Sequence, residues 1–311
     1  MAAAAVLVGA LVAAQSRINA ALAEQVGGGF VAAAVSFATG LVLAVAVVSL
    51  RPATRAAAAR LPSLVASGNL RWWQLLGGVG GAWLVATQGL VVVVVGVTMF
   101  TVGVVAGQVT GSLLVDRAGL SPAGRLPITG RRVAAALLAL AAVVLAATRS
   151  GTGPGSWSWI VLLAVSAGFG IAAQQAVNGR VAAATHQPMV ATLVNFLVGT
   201  TCLTAVVLGG TLIGAVSAGP WPTQPWLYLG GPIGVLFIAL AAWAVRGVGV
   251  LVFGLLSIAG QLLGSVVADL VAPSGGAGLG PGLWLSLLLL VAAVVLAALP
   301  AARLAGGTMP R

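Results

Sequence analysis

The chain has 311 residues, of which 60% are hydrophobic and 5% charged, with a mean hydropathy of +1.16. A soluble globule of this length has no means of covering so much apolar surface, so the class is integral membrane. The formal charge of +11 comes from fourteen arginines against Glu24, Asp116 and Asp269. The arginines sit at the ends of apolar stretches, with no soluble basic domain to bind nucleic acid, and the single cysteine, Cys202, excludes a disulfide framework or a cysteine metal cluster.

Apolar stretches of roughly 18 to 23 residues, the length that crosses about 30 Å of hydrocarbon, recur along the whole chain without period-two alternation. Ten helices are predicted. The first, 2–23, carries Gln15 and Asn19 one turn apart on one face, with Arg17 between them and Glu24 just beyond the end. Its "ALAEQ" resembles a signal-peptidase site, but a positive leading region is missing, so the segment is read as a retained span. The second, 30–50, contains "SFATG" and is followed by the arginine-rich loop "RPATRAAAARLPSLVASGNLR". The third, 73–94, opens at Trp72 and Trp73 and holds Gly77 and Gly81. The fourth, 97–116, has the stripe Gly103, Gly107, Gly111 together with Gln108, Ser112 and a closing Asp116. The fifth is 133–148.

The sixth helix, 158–182, opens at Trp157 and Trp159 and carries Gln174, Asn178 and Arg180. Its "GFGIAA" fits G-x-G-x-x-A, yet no strand precedes it, so the phosphate cradle of that motif has no scaffold. His186 falls in the turn before the seventh helix, 189–210, which contains "NFLVG". The eighth, 226–245, opens at Trp226 and holds Gly230 and Gly234. The ninth, 248–269, repeats the fourth with Gly260, Gln261, Gly264, Ser265 and Asp269. The tenth is 283–300 and opens at Trp284. Indole rings favour the headgroup level, and these tryptophans fall at the predicted interfaces.

Sliding the chain by 159 residues superposes Gly9 on Gly168, Gln15 on Gln174, Asn19 on Asn178, Phe37 on Phe196 and Gly40 on Gly199. A slide of 153 superposes Gly77 on Gly230, Gly81 on Gly234, Gly107-Gln108 on Gly260-Gln261, Gly111-Ser112 on Gly264-Ser265 and Asp116 on Asp269. The expected fold is therefore all-α integral membrane, ten transmembrane helices as two five-helix repeats, 1–150 and 151–311. Because five is odd, the second copy enters from the opposite face, and the repeats are inverted. Counted on ten spans, eleven arginines lie on the side of both termini and Arg149 alone on the other, which places both termini in the cytoplasm.

The motifs "GxxxAAQxxxN" in the first and sixth helices, "SFATG" and "NFLVG" in the second and seventh, and "GQxxGSxxxD" in the fourth and ninth resemble the YdcZ-like branch of the drug/metabolite transporter superfamily. The likeness is to its duplicated ten-helix, EamA-like form and covers nearly all of the chain. It implies a bacterial inner-membrane transporter exporting small molecules, not an enzyme, with the lipid bilayer and a small-molecule substrate as its partners and no nucleic acid. Monomer and homodimer both remain open.

The polar inventory is short. Gln15, Asn19, Gln174, Asn178, Gln108 and Gln261 either bond across helices or line a substrate pathway. Asp116 and Asp269 end their helices and read either as interfacial carboxylates, Asp116 beside Arg117 or Arg125, or as a gate pair. Glu24, Arg17 and Arg180 are further gate or coupling candidates, the arginines with snorkelling as the simpler role. At the depth where small multidrug-resistance relatives carry a carboxylate, this chain has Gln15 and Gln174. Gly103, Gly107, Gly111, Gly260 and Gly264 are expected to pack the fourth helix against the ninth. No cofactor or metal is expected, and no nucleophile stands with a base to support an enzyme. A non-transporting assembly or lipid-handling protein is the alternative.

Overall fold

A computed structural model describes residues 2–120, 124–125, 128–149, 158–248, 250–271 and 280–298; Trp157, Arg303 and Arg311 lie outside the described residues. These form helices α1 (Ala2–Val26), α2 (Gly29–Leu50), α3 (Pro52–Ala59), α4 (Leu61–Ala66), α5 (Gly77–Ala118), α6 (Gly130–Arg149), α7 (Ser158–Thr185), α8 (Pro188–Leu212), α9 (Gly230–Val248), α10 (Val250–Val271) and α11 (Pro281–Ala298). Single 3-10 turns, Trp72–Leu75 and Pro225–Leu229, precede α5 and α9. No strand occurs among the described residues.

At 42 residues, α5 would extend about 60 Å if straight, twice the hydrocarbon thickness. It is not straight. Gly96 takes φ 80 and ψ 165, a region that a side chain all but forbids, and divides α5 into an arm ending at Val95 and an arm beginning at Val97. The break falls between the predicted third and fourth helices. Ala2–Val26, Gly29–Leu50, Trp72–Ala118, Trp159–Thr185 and Pro188–Leu212 are long and apolar enough to cross a membrane. Shorter apolar helical runs occupy Pro225–Ile238, Leu256–Val271 and Pro281–Leu296.

The segment expected to be a loop after α2 instead folds into α3 and α4. Pro52 and Pro62 occupy first-turn positions, where a missing N–H costs nothing, and an alanine run follows Pro52. Ala57, Ala58, Leu61, Leu64 and Val65 cover a small core of Leu70, Val181, Val190 and Ala191, while Arg51, Arg55 and Arg60 stay exposed.

The contacts between helices obey the two slides found in the sequence. A methyl group on Gly9 would overlap the Ser257 carbonyl and the Gln261 nitrogen of α10. On the equivalent Gly168 it would overlap the Val104 carbonyl and the Gln108 nitrogen of α5. Gly260 faces Val6 as Gly107 faces Val165, and Gly264 faces Ala10 and Ala13 as Gly111 faces Phe169 and Ala172. These contacts advance together along both chains, so α10 runs parallel to α1, and the second arm of α5 parallel to α7. At the centre, the rings of Phe37 and Phe196 meet with centroids 5.1 Å apart. Gly40 packs on Phe196 and Gly199 on Phe37.

This corrects the expected partners of the glycine stripes. Gly103, Gly107 and Gly111 pack on α7, and Gly260 and Gly264 on α1, rather than on each other. Spacing in a sequence identifies the face that is flat enough for close approach; it carries no information about which helix fills it.

Candidate functional site

Gln15 and Asn19 of α1 are buried. Gln15 donates Nε2 to the Gly230 carbonyl at 2.7 Å, Asn19 donates Nδ2 to Gln88 Oε1 at 2.6 Å, and Gln88 donates Nε2 to Ser16 Oγ at 3.0 Å. The Ser16 hydroxyl donates to the Val12 carbonyl at 2.9 Å. Gly230 makes room for this layer, since a Cβ there would overlap Asn19 Oδ1 and crowd Ser36. An amide withheld from water must be bonded to be tolerated, and this chain of donors joins α1 to the first arm of α5 and to the start of α9.

The equivalent layer on α7 is bonded differently. Asn178 donates Nδ2 to Asn195 Oδ1 of α8 at 3.1 Å, and Gly77 lies against Asn178 as Gly230 lies against Asn19. Gln174 faces Gly81 as Gln15 faces Gly234, but its buried Oε1 has no hydrogen-bond partner. Asn19 Oδ1 is likewise buried and unbonded. Gln174 Oε1 lies beside Gly81, which also touches the end of the Phe37 ring, and Asn19 Oδ1 lies beside Gly230. Gln108 and Gln261 are half-buried, their backbone nitrogens set against Gly168 and Gly9.

The charged candidates separate by what they touch. Asp269, at the end of α10, accepts the N–H of Val97 on Oδ1 at 2.9 Å and that of Thr98 on Oδ2 at 2.7 Å. Its carboxylate therefore caps the arm of α5 that starts after Gly96, where unsatisfied amides and the helix dipole both favour an anion. Asp116 pairs with Arg132 of α6, rather than with Arg117 or Arg125 as its sequence neighbours suggested. Arg180 donates Nε to the Leu120 carbonyl and Nη2 to that of Gly119, both at 2.6 Å, tying α7 to the left-handed turn that ends α5. Arg17 is half-buried, with Nε and Nη1 enclosed and without a hydrogen-bond partner. Glu24 and His186 are exposed.

Sequence reasoning missed Gln88, Ser16 and Asn195. Gln88 is an amide inside the apolar run "ATQGL", which is a usable signal, but its repeat equivalent is Ala241 and so symmetry does not flag it. Asn195 stands where the first half has Ser36. Arg132 stands out in the sequence only as one of the eleven topological arginines. No group of three or more histidine, cysteine, aspartate or glutamate side chains suited to a metal occurs among the described residues.

An all-helical bundle of long apolar helices, packed through glycine faces around buried amides, is the architecture of a membrane-embedded protein. The family model described as "Putative inner membrane exporter, YdcZ" matches residues 1–145 and 159–296, and the chain belongs to that family, within the drug/metabolite transporters. No curated protein sequence matches the chain. A solved crystal structure shares its fold with a TM-score of 0.58 and 21% identity, over 95% of this chain and 94% of the other.

Proposed function

We propose that the protein is a secondary transporter that exports small solutes by alternating access, with halves 1–150 and 151–311 each crossing the membrane five times in opposite senses. The observation that carries this reading is the Phe37–Phe196 contact. The contact is reciprocal, Phe37 on Gly199 and Phe196 on Gly40, as a two-fold axis between the halves requires, and inverted halves related by such an axis exchange conformations to open one side and then the other. Helix direction gives further support. With α5 counted as two crossings, α1 and α10 are the first and ninth spans and the second arm of α5 and α7 are the fourth and sixth; each pair runs parallel, as that count requires.

Gln15, Asn19, Gln174, Asn178, Gln108 and Gln261 line the pathway in this reading, with Asn19 Oδ1 and Gln174 Oε1 awaiting donors from solute or water. Asp116 and Asp269 stand at its two ends as gates. Arg17 and Glu24 are the remaining coupling candidates, while the two carbonyl contacts of Arg180 suit a structural tie. Both termini face the cytoplasm by the arginine asymmetry. Neither a cofactor nor nucleotide hydrolysis is part of this mechanism. Reconstitution tests it: purified protein in proteoliposomes should dissipate a gradient of a labelled solute faster than empty vesicles do. Flux equal to the empty-vesicle rate across a broad panel would overturn the transporter reading in favour of an assembly or lipid-handling role.

A further inference from the structure

We infer that Asp116 and Asp269 are exchangeable helix caps. In the opposite state Asp116 leaves Arg132 and accepts the N–H groups of Val250 and Leu251 at the start of α10, while Asp269 releases those of Val97 and Thr98. The inference rests on the alternating-access reading and specifies how its two ends are latched.

Three observations carry it. First, Asp269 binds two consecutive amides at the start of an arm of α5 that belongs to the other half of the chain. That contact joins the halves at one end of the bundle. Second, the slide of 153 that superposes Asp116 on Asp269 also superposes Val97 on Val250, Thr98 on Leu251, and Gly96 on Gly249. Every participant in the observed cap has its counterpart for the other one. Third, Asp116 is engaged by Arg132, and the repeated string "AAVVLAA" at 141–147 and 292–298 sets Leu283 in the place of Arg132. Asp269 therefore has no cation in the matching position to draw it from its amides, whereas Asp116 does.

For Asp116, exchange between partners solves the problem of a moving carboxylate in a membrane protein. An anion at a helix end is stable when it receives charge-assisted hydrogen bonds and is costly when it does not. By passing from guanidinium to amides, Asp116 keeps a partner in both states. Arg132 holds it in the state in which Asp269 is latched, so removing the guanidinium favours the other state.

Backbone hydrogen exchange on the full-length protein in lipid nanodiscs reads both caps at once. In Arg132→Leu, amides of the peptide spanning 96–101 should exchange several-fold faster than in the unsubstituted protein, and those of 249–254 several-fold slower. Changes of the same sign, or none, would overturn the exchange. Cross-linking in a Cys202→Ser background gives an independent measure with Arg132 intact. Thr98→Cys with Ala268→Cys, and Val115→Cys with Leu251→Cys, are combined in one protein and treated with a short bifunctional thiol reagent. Each molecule should carry one link or the other; molecules carrying both, or absence of the 115–251 link, overturn the inference. Alternating links without solute flux would leave the cap exchange standing and remove the transporter reading. Undiminished flux in vesicles whose 98–268 link is closed would do the reverse.

Discussion

The ring of Phe37 lies 5.1 Å from the ring of Phe196, tilted by 47°, and the two residues hold the same place in successive halves of one chain. Each ring also rests on the glycine that belongs to the other's helix, Phe37 on Gly199 and Phe196 on Gly40. The pair therefore sits where α2 and α8 cross.

That crossing predicts a reciprocal rescue. Gly199→Ala should lower thermal stability by about 1 to 3 kcal/mol through overpacking, and Phe37→Leu should recover part of the loss. Phe196→Leu should recover Gly40→Ala and leave Gly199→Ala unrepaired. Thermal unfolding in detergent measures all four combinations. Rescue without regard to partner would argue against the close approach described.

The two glutamines differ in what they hold. Gln15→Ala removes a buried bond to the Gly230 carbonyl and should cost about 1 kcal/mol of stability together with activity. Gln174→Ala removes an acceptor with no protein partner, so solute flux should fall about tenfold while folded yield changes little. Parallel measurements of flux and yield decide between pathway and packing; equal losses at Gln174 would make it a packing residue.

Gly96 is the one position where α5 can turn. Gly96→Ala places a side chain at φ 80 and ψ 165, at a cost on the order of 1 to 3 kcal/mol, and should reduce membrane-inserted folded protein. Gly119→Ala, at φ 68 in a helix-ending turn, should cost about 1 kcal/mol. Size-exclusion yield and unfolding temperature compare the two.

Arg17 is half-buried, and two of its enclosed nitrogens have no partner. A buried charge without a partner opposes folding, so Arg17→Met should leave the unfolding temperature unchanged or raise it. Arg180→Met should lower it, because it releases the Gly119 and Leu120 carbonyls. A loss at Arg180 without a loss at Arg17 is the expected result.

Much of the arrangement was legible because the chain repeats itself. Once Gly9 aligns with Gly168 and Gly107 with Gly260, the mirrored contacts follow from the demand that equivalent flat faces receive equivalent helices. Helix partners were not legible, since a glycine at every fourth position fits any apolar neighbour; hence the stripes of α5 and α10 pack on α7 and α1. The helices α3 and α4 were hidden by a segment whose arginines and prolines read as loop, although its alanines favour helix. At the site, Gln15 and Asn19 stood out as amides in apolar surroundings. Gln88 did not, because a search guided by symmetry passes over a residue whose equivalent is Ala241. The pairing of Asp116 with Arg132 depends on where α6 begins in space, which no spacing along the chain records.

The cap on α5 has a consequence for biosynthesis. Val97 and Asp269 are separated by 172 residues, so the amides that open the second arm of α5 enter the membrane long before their carboxylate exists. At roughly 5 to 20 residues per second, the interval is on the order of ten to thirty seconds. During it the nascent first half holds an uncapped helix start. The cap therefore forms only after the ribosome has passed the end of α10, and a chain that stops short of Asp269 leaves the Val97 and Thr98 amides without it.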